Sequence, residues 1–344
     1  MTPTHSGTIR TVVTVAKLAL AAAILAWLIA QAHDGFSRLI EQPVVWPLVA
    51  AGMLCTFAAS TASFVRWHLL IRAVGIDVRL VDSLRLGALG LALNFVSPGS
   101  IGGDFFKAIF LAHGHPGRRT EAVATVVADR VMGLLTMLVL ASVGILAMGL
   151  AGGPFSALRV LCRTILVATV VCWMGVALLL AVPGLTGRRV CRWADAIPLV
   201  GKTIARLLGA VRTYRSQKPI LLAAVGLSVL VALFFIWSYY LVARGLPVEE
   251  PSFAEHLMIV PVAGLVGAIP ITPSGLGTLE LAVEELYKAV PGGEGVQPGD
   301  GTLVALARRV TELAVALVGL MFYLTHRREV EEVYAEAEEF ADKE

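Results

Sequence analysis

Long apolar runs, each able to cross a lipid bilayer, are the feature that most constrains this chain. A membrane-spanning helix needs about 20 consecutive apolar residues. Runs of that length are predicted at residues 12–32, 44–65, 122–150, 158–182, 220–242 and 302–325. Of the 344 residues, 57% are hydrophobic and only 15% are charged, against about 25% charged in an average soluble domain. The sequence therefore predicts an all-α polytopic membrane protein and excludes an ordinary soluble enzyme, a nucleic-acid-binding protein and a disordered chain.

Two further apolar segments are each interrupted by a turn rich in proline and glycine. The first segment covers residues 84–112 and has its turn at residues 97–104. The second covers residues 253–290 and has its turn at residues 270–277. Each consists of two apolar pieces that are too short to span a bilayer alone. We therefore predict two re-entrant helical hairpins in addition to the six full spans.

The distribution of basic residues predicts the topology, because cytoplasmic loops are enriched in lysine and arginine. One arrangement places Arg10 and all the basic loops on the same side, with both termini in the cytoplasm of a multi-pass cell-membrane protein. The first span resembles a signal peptide, but we expect it to remain in the mature protein. The basic loop at residues 186–219 predicts an amphipathic helix on an anionic membrane surface or, equally well, a solvated loop.

The two halves of the chain repeat the same order of motifs. The turn Ser97-Pro98-Gly99-Ser100-Ile101-Gly102 resembles Thr272-Pro273-Ser274-Gly275-Leu276-Gly277, and Ala128-Asp129-Arg130-Val131 resembles Ala307-Arg308-Arg309-Val310. Each half reads span, span, hairpin, span, and the halves face opposite ways. Two inverted repeats of this kind are the architecture of many secondary transporters.

These patterns divide the chain into four parts. The predicted parts are a cytoplasmic N-terminus at residues 1–11, a first membrane repeat at 12–150, a second membrane repeat at 151–326 and an acidic cytoplasmic tail at 327–344.

The hairpin turns are candidate binding elements. Non-helical backbone at membrane depth persists where protein or a water-filled cavity surrounds it. Glycine permits tight turns and a close approach of a ligand, and the start of a half-helix favours an anion, phosphate above all. The candidate turn residues are Ser97, Gly99, Gly102 and Gly103 in the first hairpin and Thr272, Ser274, Gly275 and Gly277 in the second. The alternative is that the turns only pack against neighbouring helices.

Two arginines lie at membrane depth. Arg130 lies about eight residues into its span, roughly 12 Å deep, and Arg309 about seven residues into the last span, roughly 10 Å deep. An arginine there needs a partner or a polar cavity. Arg130 and Arg309 are predicted to hold a lipid phosphate bidentately, or else to form structural ion pairs. Candidate partners are Asp104 and Asp129 for the first arginine and Glu280 and Glu312 for the second, with Lys107 and Arg308 as weaker binding candidates.

Signatures of other chemistry are weak. The sequence contains no nucleotide-binding, metalloprotease or serine-hydrolase motif, so neither an enzyme nor a cofactor is predicted. His113-Gly114-His115 lacks a third ligand nearby and is interpreted as a loop rather than a metal site. Glu284 and Glu285 are predicted to be solvated. The cysteines Cys55, Cys162, Cys172 and Cys191 form no CxxC pair and are interpreted as small packed residues.

The residues from Asn94 to Asp104, the pair Asp129-Arg130, the turn at residues 272–277 and the stretch from Arg309 to Glu312 resemble the lysylphosphatidylglycerol synthase transmembrane-region family, also called the UPF0104 family. The resemblance covers residues 12–326. The family includes the flippase part of the bacterial multiple-peptide-resistance factor and proteins that accompany hopanoid and lipid-linked sugar pathways. That factor's cytosolic aminoacyl-transfer domain has no counterpart in this sequence, so the resemblance does not by itself imply lysylphosphatidylglycerol as the substrate.

The resemblance implies a lipid translocase that moves an anionic or zwitterionic phospholipid, or a lipid-linked headgroup, by alternating access. The alternatives are an integral membrane enzyme or an accessory protein of a lipid-linked sugar or hopanoid pathway. The expected partners are the lipid substrate and an anionic membrane surface, and the pattern also allows a lipid-modifying enzyme or a second copy of the chain. Nucleic acid is not an expected partner.

Overall fold

The protein is helical throughout the part of the chain that its computed structural model describes. That part comprises residues 5–96, 102–151, 157–182, 184, 187, 190, 192–193, 201, 211–212, 214–269 and 271–325. The helices are α1 (His5–Gln31), α2 (His33–Glu41), α3 (Trp46–Ala73), α4 (Leu80–Val96), α5 (Gly103–Gly114), α6 (Arg119–Ala147), α7 (Ala157–Ala181), α8 (Lys218–Gly245), α9 (Phe253–Ala268), α10 (Thr278–Ala289) and α11 (Asp300–Thr325).

Four of the described helices, α3, α6, α7 and α8, are long and apolar enough to cross a membrane. The pair α1 and α2, bent by 56°, makes a fifth candidate. The predicted helical membrane protein is thereby confirmed. The last predicted span corresponds to α11, which has the necessary length but carries Arg308, Arg309 and Glu312 near its middle. Its insertion therefore depends on the partners of those charges.

The second predicted span was too short at its C-terminal end. We expected it to end at residue 65, whereas α3 continues to Ala73. The extra turns bury Trp67, Leu70 and Ile71, and this apolar face continues the helix past the first basic residue. Arg66 therefore lies inside a helix and is buried, although the predicted span ends just before it.

Helices α4 and α5 pack against each other, as do α9 and α10. The start of α5 lies against α4 because Gly103 has no side chain: a Cβ there would lie 1.6 Å from the Gly90 carbonyl oxygen. The Gly103 N–H donates to Asn94 Oδ1 at 2.7 Å. In the second hairpin, Ser274 Oγ donates to the Asn94 carbonyl oxygen at 2.6 Å. The tips of the two hairpins therefore touch.

Apart from the hairpin tips, the described helix ends gather at two opposite ends of the molecule. At the basic end (residues 72–85, 113–119 and 214–218), Arg118 Nη1 donates to the Val74 carbonyl at 2.8 Å. At the acidic end (residues 32–46, 246–252 and 290–300), the Val45 N–H donates to the Gly245 carbonyl at 2.8 Å. Helix α3 joins the two ends over about 42 Å. Since α4 starts at the basic end and α9 at the acidic end, the hairpins approach each other from opposite ends.

Candidate functional site

A cluster of three charged side chains lies just beyond the first hairpin turn. Asp104 is in the first turn of α5. Its Oδ1 lies 2.8 Å from Lys107 Nζ, and its Oδ2 accepts a hydrogen bond from Arg130 Nε on α6. The Lys107 ammonium also lies 5.4 Å from the centre of the Trp67 ring. One carboxylate thus holds two cations.

Asp129, next to Arg130 in sequence, faces another helix. Its Oδ1 accepts a hydrogen bond from Arg66 Nε at 2.7 Å, and Arg66 Nη1 donates to Ser228 Oγ at 3.0 Å. Arg66 was missed as a functional candidate. The apolar residues that follow it in the sequence were the available signal, since they predict that the helix continues.

The second half contains a similar pair, more deeply buried. Arg309 Nε on α11 donates to Glu280 Oε1 at 2.5 Å. Glu280, in the first turn of α10, also accepts a hydrogen bond from the Gly277 N–H at 2.7 Å. Gly277 has a φ of +83°, a conformation that glycine adopts without steric cost. The Glu280 carboxylate therefore accepts hydrogen bonds both from the backbone at the start of α10 and from the Arg309 side chain.

Arg308 and Glu312 form their own pair, one turn apart on α11. Arg308 Nη1 donates to Glu312 Oε2 at 2.6 Å. The Arg308 guanidinium lies 4.7 Å from the Phe235 ring centre and 5.3 Å from the Tyr239 ring centre. Glu312, considered from the sequence as a partner of Arg309, is bonded to Arg308 instead, because neighbouring positions on a helix point about 100° apart.

The remaining candidate binding residues belong to the two hairpin turns. Thr272 Oγ1 lies 3.3 Å from Thr278 Oγ1. Ser274 has a φ of +51° and Gly275 a φ of +66°, and a Cβ on Gly275 would lie 2.7 Å from the Gly267 carbonyl oxygen. In the first turn, Gly102 is the extended residue that precedes α5. Ser97 and Gly99 lie outside the described residues.

The two arginines that bond a hairpin carboxylate differ in accessibility. The Arg130 side chain is 58% exposed, whereas Arg309 is 11% exposed and Glu280 fully buried. The two hairpin tips meet at the hydrogen bond between Ser274 and Asn94. The carboxylates accept hydrogen bonds from cations, and an accessible guanidinium remains to bind an anion.

Two other polar predictions concern the helix ends. Glu284 was predicted to be solvated, which is wrong: it is fully buried and accepts hydrogen bonds from the Gly299 and Thr302 N–H groups at 2.7 and 2.8 Å. Glu285 is exposed, as predicted. His113 lies in the last turn of α5. Among the described residues, no group of three or more His, Cys, Asp or Glu side chains could hold a metal ion.

Comparisons with known proteins agree with the motifs. A family model described as the lysylphosphatidylglycerol synthase TM region matches residues 14–319. A UPF0104 membrane protein from Methanothermobacter thermautotrophicus is 24% identical over 324 residues, which cover 89% of this chain and 91% of that protein. The resemblance expected from the hairpin turns and from the motifs around Arg130 and Arg309 is confirmed, and the chain belongs to the lysylphosphatidylglycerol synthase TM region family.

Proposed function

We propose that the protein is a transporter that moves a lipid with an anionic or zwitterionic headgroup between the leaflets of the cell membrane. The observation that carries the proposal is the meeting of two helical hairpins, from opposite ends, beside the accessible Arg130. Membership of a membrane family named for a lipid synthase is consistent with a lipid-related role.

The proposed architecture is two inverted repeats with six spans and two re-entrant hairpins. Support comes from matched ion pairs. In each half, an acid in the first turn of the hairpin's return helix bonds an arginine on the helix that follows: Asp104 with Arg130, and Glu280 with Arg309. Equivalent contacts in oppositely directed halves are typical of transporters that alternate between two open states.

In this mechanism the headgroup enters between the hairpin tips while the acyl or prenyl chains stay in lipid. A charged headgroup in bare hydrocarbon costs several kcal/mol or more. The accessible Arg130 guanidinium lowers that cost by replacing water. Separation of Ser274 from Asn94 opens the path to the other leaflet, and only one described hydrogen bond between the tips must break.

The proposal includes the orientation and the partners. The basic end faces the cytoplasm with both termini. The loop at residues 186–219, most of which lies outside the described residues, is proposed from its basic composition to attract the anionic lipid surface there. A lipid-modifying enzyme could deliver the substrate, and a second copy of the chain could complete an oligomer. The rival function, a membrane enzyme with Asp104 or Glu280 as a base, fits less well because arginine N–H groups already occupy both carboxylates.

The test is reconstitution into liposomes that contain headgroup-labelled lipids, followed by chemical quenching of the label from outside. Translocation makes the quenched fraction exceed the outer-leaflet fraction. We expect this excess for the native protein, and we expect Arg130→Ala to reduce its rate about tenfold, the effect of losing about 1.4 kcal/mol of binding. Arg244→Gln, at an exposed arginine outside the cluster, is the control. Quenching equal to that of empty liposomes with every anionic and zwitterionic lipid would reject the proposal.

A further inference from the structure

The charged side chains around the hairpin tips do not balance. The described cluster contains five cations and four anions, which leaves one positive charge in excess. The members are Arg66, Asp129, Asp104, Lys107, Arg130, Glu280, Arg309, Arg308 and Glu312. The undescribed turn residues add nothing to this balance, since Ser97, Pro98, Gly99, Ser100, Ile101 and Pro270 carry no charged side chain.

The excess charge lies in the first half. Arg309 forms an ion pair with Glu280, and Arg308 forms one with Glu312. Asp129 forms an ion pair with Arg66. Asp104 alone is shared, between Lys107 Nζ and Arg130 Nε. Lys107 and Arg130 therefore carry two positive charges against one negative charge.

The accessible cation of the first half is Arg130, since the Lys107 side chain is only 11% exposed. Arg130 is the more exposed of the two arginines that bond a hairpin carboxylate. Within the described part of the chain, its Nε bonds Asp104, and its two terminal amino groups make no hydrogen bond to protein. Lys107 Nζ reaches the opposite oxygen of the same carboxylate. An anion placed at Asp104 would meet both cations without displacing the pair formed by Glu280 and Arg309.

We propose that the substrate's anionic group binds between Lys107 and the terminal amino groups of Arg130, and that it is a phosphodiester whose headgroup has a single net negative charge. The inference rests on the proposed function and narrows its substrate class. One negative charge neutralises the excess, whereas a phosphomonoester overcompensates it and a zwitterion leaves it in place, where low dielectric makes a net charge costly. Arg309 is then a positioning residue that fixes α11 to the start of α10.

The inference is tested by titrating the purified full chain, in a neutral maltoside detergent, with short-chain probes. Dihexanoylphosphatidylglycerol is the monoanionic diester, dihexanoylphosphatidylcholine the zwitterion and glycerol 3-phosphate the monoester; inorganic phosphate represents a free anion. Calorimetry gives each dissociation constant. We expect the monoanionic diester to bind at least about tenfold more tightly than the others, the ratio that corresponds to about 1.4 kcal/mol. Equal binding of the zwitterion, or binding of inorganic phosphate as tight as that of the lipid, would overturn the assignment.

Charge-changing variants separate the two halves. Lys107→Gln and Arg130→Gln each remove the excess charge. We therefore expect each to raise the dissociation constant of the monoanionic diester about tenfold. Asp104→Asn adds one more positive charge and shifts the preference toward glycerol 3-phosphate. The double variant Glu280→Gln/Arg309→Gln leaves the charge balance intact and keeps the preference for the diester. If that double variant weakened binding of the diester as much as Arg130→Gln does, the binding site would not be confined to the first half. The inference would then be wrong.

The two proposals fail in different ways. Selective binding of the diester without lipid movement in liposomes would leave this inference in place and reject the transport function. Lipid movement that is equally fast for zwitterionic and monoanionic headgroups, and unaffected by Lys107→Gln, would leave transport in place and reject the inference.

Discussion

Arg66 and Asp129 form an ion pair that is almost closed to solvent, with side chains 6% and 10% exposed. Removing one partner of such a pair leaves an uncompensated charge in a low-dielectric interior, whereas replacing both leaves none. The pair joins α3 to α6, and Ser228 adds α8 through its hydroxyl group. Its main contribution is therefore to hold three helices in register.

We expect Arg66→Gln to destabilise the folded protein by about 3–5 kcal/mol, because Asp129 stays buried without its cation. The double variant Arg66→Gln/Asp129→Asn should recover most of that loss. The measurement is the thermal midpoint of the detergent-purified protein, followed by size-exclusion chromatography after heating. Arg244→Gln is the matched control at an exposed arginine. A double variant as unstable as the single one would show that the pair's charge is not the cause.

Glu284 and Glu285 offer a second residue-scale test, since adjacent glutamates occupy opposite environments. Glu284 accepts N–H hydrogen bonds at the start of α11 and pairs with Lys288 at 2.8 Å. We expect Glu284→Gln to cost about 1.5–3 kcal/mol by weakening charge-assisted hydrogen bonds, and Glu285→Gln to change stability by less than about 0.5 kcal/mol. The measurement is the thermal midpoint of each variant, and we expect the Glu284→Gln protein to have the lower one. Equal midpoints would contradict the structure.

At the residue scale, sequence patterns identified charged residues that lie beside the hairpins but not how those residues pair. The Asp129-Arg130 motif is visible, yet the partner of Asp129 is 63 positions away on α3. The assignment of Glu312 to Arg308 depends on the rotation of α11. Such pairings are tertiary contacts, and neither hydropathy nor residue spacing encodes them.

At the scale of helices, the first hairpin depends on a close approach of two backbones. Gly103 at the start of α5 lies against Gly90 in the middle of α4, where no Cβ fits. Small residues at helix contacts are what allow such an approach in membranes. The proline and glycine turn predicted a hairpin, but nothing in the sequence identified Gly90 as the opposing surface.

We expect Gly103→Ala to separate α4 from α5 and to destabilise the protein by about 3 kcal/mol, the upper range for overpacking, because the added Cβ meets backbone that cannot move aside. Gly102→Ala is the matched control: a Cβ there lies 3.6 Å from Asn94 Oδ1, an ordinary contact. The yield of monodisperse protein and its thermal midpoint are the measurements. Equal yields and equal thermal midpoints of the two variants would show that Gly103 is not the contact between α4 and α5.

At the scale of the whole molecule, the predicted loops gather at two ends joined by α3. Which of the two ends faces the cytoplasm is a prediction from the basic residues. The helical class and most helix bounds followed from the lengths of the apolar runs. The extension of α3 and the short helix α2 did not, because Arg66, His68 and Arg72 interrupt the apolar run of α3 and α2 is only nine residues long.

The orientation is tested by labelling single cysteines with a membrane-impermeant maleimide in intact cells. The variants are Gly117→Cys at the basic end and Glu294→Cys at the acidic end, both at exposed positions, in a chain whose native cysteines are replaced by alanine. We expect Glu294→Cys to react in intact cells and Gly117→Cys to react only after permeabilisation. The reverse result would invert the topology.

The contact of the first hairpin with the last helix has a consequence for biogenesis. Gly319 of α11 lies so close to Ala88 of α4 that a Cβ would meet the Ala88 carbonyl oxygen at 2.1 Å. The ribosome makes the hairpin roughly two hundred residues before it completes α11, a delay of roughly 10–40 s at about 5–20 residues per second. During that interval α3 and α6 can already contact the hairpin, but the face of α4 that packs against α11 has no partner. That face needs the insertion machinery, or lipid, to shelter it until translation ends.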